Sequence, residues 1–167
     1  MREVKTIDLF LLLLLGVIWG SSFFNIKIAT YSYEPITLAL TRVIFASIPL
    51  VFLCFFKKIK ILFFSKDWFS YALIGLCNIV VPFVLIAIGT TKIDSYLAAI
   101  LMSTTPISSS ILAHFFIKDE KLTFLKSLGI ILGFTGILLL FFDKLIINES
   151  NYLFVLIIIL GSTFYSI

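Results

Sequence analysis

The chain has 167 residues, of which 61% are hydrophobic and only 13% charged, with a mean hydropathy of +1.19. A soluble domain of this length carries about 45–50% apolar and about 25% charged residues, so a water-soluble fold is excluded. The formal charge of +4 does not point to nucleic acid, because the basic residues sit in short patches between apolar runs, where anionic lipid is the natural partner. Cys54 and Cys77 both lie inside apolar stretches and read as small core residues, not as a disulfide framework or metal site.

In chain order, hydropathy marks spans at residues 9–29, 35–56, 68–89, 96–117 and 125–142, followed by an apolar start at 152 that the chain leaves at Ile167. The first five are long enough to cross a hydrocarbon core of about 30 Å at about 1.5 Å per residue. The first is read as a retained span and not a cleaved signal, because its apolar run continues past Trp19 without a small-residue cleavage site. Turn and cap residues at Tyr33-Glu34-Pro35, Lys92-Ile93-Asp94-Ser95 and Asp119-Glu120-Lys121 make the connections tight, so consecutive helices run antiparallel in one bundle. The fold class expected is an all-α membrane bundle of five complete helices and a truncated sixth.

Arg2, Lys5, Lys57, Lys58, Lys60, Lys66, Lys118, Lys121 and Lys126 fall on one side of this arrangement, and Lys27, Lys92 and Lys144 on the other. Basic residues bias short loops toward the cytoplasm, which places the N-terminus there. Gly16 with Gly20, and Gly129 with Gly133, have the four-residue spacing that lets helix backbones approach, and Gly136 extends the second pair.

The segment Gly20-Ser21-Ser22-Phe23-Phe24-Asn25-Ile26 is repeated in character by Gly161-Ser162-Thr163-Phe164-Tyr165-Ser166-Ile167, an offset of 141 (161 − 20). Five spans separate equivalent points, an odd number, so the second copy enters the membrane from the opposite side. Inverted repeats of this kind are common in secondary transporters, whose site lies between the repeats near the midplane. Residues 1–145 are then one five-helix unit and 150–167 the beginning of a second, and the chain is expected to be truncated.

Trp19-Gly20-Ser21-Ser22-Phe23, Pro35 with Arg42, Ala98-Ala99-Ile100-Leu101 before Thr104-Thr105-Pro106, Glu120 with Thr123, and Gly129, Gly133 and Gly136 together resemble the EamA-type family of the drug/metabolite transporter superfamily. The resemblance covers essentially the whole chain. It implies a permease of the bacterial inner membrane with ten helices in two inverted five-helix units. Met102 departs from the asparagine that many relatives carry there, and Asp119-Glu120-Lys121 replaces their Gly-Glu-Arg.

Every Asp and Glu lies in a tail, in a loop or at a helix end, so no acid-base pair or metal cluster assembles at helix depth, and neither enzymatic activity nor a cofactor is expected. Arg42 lies about two turns into the second span, where a charge is costly and marks either a solute contact or a structural bond to neighbouring carbonyls. His114, near a helix end, reads as interfacial packing. The polar residues Ser22, Asn25, Asn78 and Thr105, with Trp19, Arg42 and Met102, are the pocket candidates. Asn25 and Asn78 are favoured because an amide is harder to satisfy on its own helix than a hydroxyl. Pro82 and Pro106 each remove a backbone donor and are expected to kink their helices. Glu120 and Thr123 read as groups that complement the free amides of the fifth helix.

The function expected is secondary transport of a small metabolite or drug-like solute by alternating access, without direct ATP coupling because no phosphate-binding loop is present. The partners are lipid, the solute, and a second five-helix half or another copy of the chain. The competing reading is a non-transporting scaffold, an assembly partner or the remnant of a disrupted transporter.

Overall fold

The computed structural model describes residues 6–59, 65–140, 142 and 151–166; Arg2, Lys5, Lys60, Lys144 and Ile167, used above, lie outside them. The described residues are helical, with no strand among them. The helices are α1 (Thr6–Ala29), α2 (Pro35–Phe56), α3 (Trp68–Gly75), α4 (Val81–Lys92), α5 (Ser95–Met102), α6 (Thr105–Phe116), α7 (Phe124–Leu140) and α8 (Tyr152–Phe164), and a π-turn, Leu76–Val80, joins α3 to α4. Among the described residues four stretches are long and apolar enough to cross a membrane: Thr6–Ala29, Pro35–Phe56, Trp68–Lys92 and Ser95–Phe116. The fifth, expected at 125–142, is a shorter apolar helix of 17 residues, Phe124–Leu140.

The third and fourth spans are both interrupted part-way, each just before a proline. In the third, the backbone passes through the π-turn and Pro82 then stands in the first turn of α4. Proline lacks an N–H, so one carbonyl of the preceding turn loses its helical partner and the chain widens locally. In the fourth, α5 ends at Met102, Ser103 and Thr104 form a turn, and Pro106 stands in the first turn of α6. Side chains take up the carbonyls at this break. Ser103 Oγ donates to the Ile100 carbonyl at 2.5 Å, Thr104 Oγ1 to Leu101 at 2.6 Å, and Thr105 Oγ1 to Met102 at 2.7 Å. The Met102 carbonyl is the one that an N–H at position 106 would have reached.

The helices close most tightly where α8 crosses α4. An added Cβ at Gly89 would sit 2.2 Å from Ile158 Cγ1, and one at Gly161 would sit 3.3 Å from Leu85 Cβ. Ile158 is fully buried in the notch that Gly89 leaves. Around this crossing lies the core of Ile93, Leu97, Ala98, Ile100, Val155 and Ile158, with Phe23, Met102, Ile137 and Leu138 packed against it. Most other large apolar side chains, including Leu13, Phe45, Phe69 and Leu132, are exposed, as expected of surfaces that meet lipid tails. The close contacts expected at Gly16, Gly20, Gly129, Gly133 and Gly136 are not made among the described residues: a Cβ on any of them meets nothing within 4 Å there. Four-residue spacing permits close approach without supplying a partner, and the approach falls at two glycines outside that pattern.

Lys27, counted above only for its side of the membrane, lies in the last turn of α1 and directs its ammonium to the end of α4, donating to the carbonyls of Thr90 at 2.9 Å, Thr91 at 3.3 Å and Ile93 at 2.9 Å. These are carbonyls that a helix C-terminus leaves without partners, at the negative end of its dipole.

Two outcomes follow for stability in detergent or nanodiscs, read by thermal unfolding. Gly89→Ala is expected to cost about 1–3 kcal/mol through overpacking, and the loss should shrink when Ile158→Ala is added, whereas Gly133→Ala should cost far less. Lys27→Met is expected to cost about 2 kcal/mol, since it strands the carbonyls of the α4 terminus, and Lys27→Arg should recover part of that.

Candidate functional site

The break in the fourth span opens a cavity of about 690 Å³. Its walls come from α1 (Trp19, Ser22, Phe23, Ile26), α2 (Arg42), α4 (Phe83, Ile86), α5 (Ala99, Met102), the turn at Ser103, α6 (Thr105, Pro106, Ser109, Ser110), and Tyr165 just past α8. The volume lies within the range of about 300–1,000 Å³ typical of small-molecule sites, and so does the character of the wall: largely apolar, with a few polar groups.

Helical periodicity explains the polar face. Met102, Thr105 and Ser109 are spaced by three and four residues and so share one side of the fourth span, with the break between the first two. Trp19, Ser22, Phe23 and Ile26 likewise share one side of α1. Arg42, two turns into α2, sets its guanidinium carbon 4.2 Å from the centroid of the Phe83 ring, and Phe83 in turn lies 6.1 Å from the ring of Tyr165. Thr104 Oγ1 and Thr105 Oγ1 each lie 2.9 Å from Ser162 Oγ, which is fully buried on α8. Ser166 Oγ donates to the Thr105 carbonyl at 3.2 Å. The last helix is thus bonded to the hydroxyls at the break as well as packed at Gly89.

Of the side chains singled out from the sequence, the structure brings Trp19, Ser22, Arg42, Met102, Thr105 and Pro106 to this one cavity. Trp19 is 67% exposed and forms part of its wall rather than a buried anchor. Asn25 and Asn78 are not among the lining residues: Asn25 is exposed on α1 and Asn78 falls in the π-turn. Pro82 is fully buried under α8. Phe83, Ser109, Ser110 and Tyr165 were missed. The run Ser108-Ser109-Ser110 in an apolar span carried the signal for the serines, since Ser109 is one helical turn from Thr105. Nothing local marked Phe83 or Tyr165.

A second cleft, of about 590 Å³, separates α6 from α7 and is lined by Pro106, Ser110, Glu120, Gly129 and Gly133 among others. At its mouth His114 works as a loop anchor. The Leu122 N–H donates to His114 Nδ1 at 3.0 Å, and Lys121 Nζ donates to the His114 carbonyl at 2.6 Å. Thr123 caps α7, its Oγ1 accepting from the Lys126 N–H at 3.4 Å, while Glu120 stands ahead of the first turn and lines the cleft. Among the described residues no three His, Cys, Asp or Glu side chains gather as metal ligands would.

Residues 6–142 match the EamA-like transporter family. An uncharacterized transporter from the trpA 3' region of Buchnera aphidicola subsp. Schlechtendalia chinensis is 32% identical over 127 residues, 76% of this chain and 41% of the relative. The uncharacterized transporter YdfC of Bacillus subtilis is 31% identical over 130 residues, 78% of this chain and 42% of the relative. The uncharacterized inner membrane transporter YedA of Escherichia coli K12 is 31% identical over 143 residues, 84% of this chain and 45% of the relative. The chain spans a little under half the length of these relatives, and no solved structure matches it. With apolar helices of membrane-crossing length and a family match across most of its length, the chain is a multi-pass membrane protein that belongs to the EamA-like transporter family.

Proposed function

We propose that this chain is one five-helix unit, and the beginning of a second, of a secondary transporter that moves a small metabolite or drug-like solute by alternating access, and that it performs no covalent chemistry. The observation that carries this reading is the cavity beside the broken fourth span. Helices interrupted at membrane depth are tolerated where they border a cavity or other protein, and transporters build their sites beside such interruptions. The solute site comprises Trp19, Ser22, Arg42, Met102 and Thr105, with the break at Pro106 as a pivot.

The family membership and the length of the relatives support a second five-helix unit as partner, in the same polypeptide or in another copy. The imbalance of basic residues supports a cytoplasmic N-terminus. The printed name of YedA supports placement in a bacterial inner membrane.

The test is a comparison of small-solute pools inside and outside cells that carry either the intact gene or a deletion. At least one solute should redistribute on deletion. Met102→Trp, which fills the cavity, should reproduce that redistribution at normal protein abundance. Identical pools across growth conditions would remove the transport reading and favour a scaffold.

A further inference from the structure

Arg42 is the one charged residue in the wall of the cavity. Among the described residues none forms a hydrogen bond or ion pair with it; its neighbours are the face of Phe83 and, in the same wall, Tyr165. An aromatic face attracts the cation but offers no oxygen to the five N–H donors of a guanidinium. No fully buried side-chain nitrogen or oxygen among the described residues lacks a partner, so the guanidinium, which lines the cavity, is not sealed in the protein. Intramembrane arginines almost always pair with an acid or with carbonyls. The acidic residues of the described chain, Asp8, Glu34, Asp67, Asp94, Asp119 and Glu120, lie at or beyond helix ends, and none lines this cavity. Among the described residues, then, no side chain supplies a counter-charge to Arg42.

We propose that the solute is a small organic monoanion, its carboxylate paired with Arg42 and its apolar body held among Trp19, Phe23, Ile26 and Met102; this rests on the reading of the cavity as the solute site. A guanidinium presents two parallel N–H bonds in the geometry of a carboxylate. One cation and no second basic side chain match one negative charge, so a phosphate dianion would enter with charge left over, and an organic cation would meet like charge with no carboxylate to receive it. The wall supplies indole, phenyl and thioether surface to an apolar body, and the hydroxyls of Ser22 and Ser109 to any further polar substituent.

The test uses the full chain in phosphatidylcholine nanodiscs with Trp68→Phe, which leaves Trp19 as the single tryptophan of the two in the chain. Trp19 emission is titrated with 4-bromobenzoate and with 4-bromobenzamide, a neutral analogue of nearly the same shape; bromine quenches a nearby indole. Saturable quenching by the acid at a Kd about tenfold or more below that of the amide is expected, as for a charge-assisted bidentate bond. Arg42→Gln should bring the acid to the level of the amide. Equal saturable binding of acid and amide to the unaltered site would overturn the monoanion assignment and leave the solute cavity standing. So would an Arg42→Gln chain that keeps its preference for the acid. Absence of saturable quenching by either compound would overturn both the assignment and the cavity reading.

Discussion

A bilayer core holds no water to bond a bare carbonyl, so every backbone group that a proline releases there must find its partner inside the protein. This constraint shapes the centre of the molecule. At Pro106 the fourth span gives up helical bonds, and three successive hydroxyls, Ser103, Thr104 and Thr105, answer the carbonyls of Ile100, Leu101 and Met102. The break is tolerated because those hydroxyls are in place, and the residues on either side of it, Met102, Ser103, Thr105 and Pro106, line the cavity. At Pro82 the answer differs: the third span widens through a π-turn and buries the proline under α8. Two prolines thus produce two local solutions, of which the first opens space and the second fills it.

Packing is correspondingly uneven. Between helices in lipid there is little hydrophobic driving force, and shape and hydrogen bonds decide which surfaces meet. The contacts concentrate where both are available. Gly89 and Gly161 remove the side chains that would hold α4 and α8 apart, Ser162 bonds to Thr104 and Thr105, and Lys27 ties the end of α1 to the end of α4. Away from that region the helices turn their leucines and phenylalanines outward, and α6 and α7 are parted by a cleft.

The spans were legible in the sequence because hydropathy answers to one requirement, the thickness of the hydrocarbon; the second begins and ends at the residues read from it, Pro35 and Phe56. The interruptions were legible because proline acts on its own turn. Arg42 and Thr105 stood out as polar at their depth and Met102 as a departure from the asparagine of many relatives, and the three line one cavity. Asn25 and Asn78 stood out equally and do not, since polarity says that a group needs a partner without saying on which side of the helix it lies. The glycine spacing likewise does not say which neighbour a face meets, and among the described residues none approaches Gly16, Gly20, Gly129, Gly133 or Gly136. Lys27 counted only toward the charge balance because its partners lie more than 60 residues away in the chain, a relation that no local pattern records. Tyr165 and Phe83 are ordinary aromatic residues until the crossing of α8 with α4 sets them beside Arg42.

The notch at Gly89 also bears on how the molecule is made. If helices enter the membrane in the order of synthesis, α4 precedes α8, and the notch at Gly89 faces lipid tails until α8 arrives. Insertion of α8 depends on its hydropathy alone, whereas its seating requires Ile158 to displace those tails and Ser162 to reach two threonines. A chain bearing a bulky apolar residue at position 161 would therefore enter the membrane normally and fail one step later, as a full set of helices that never closes around its cavity. Such a lesion would escape any quality control that reads hydropathy and be visible only to one that senses unpacked helices within the bilayer.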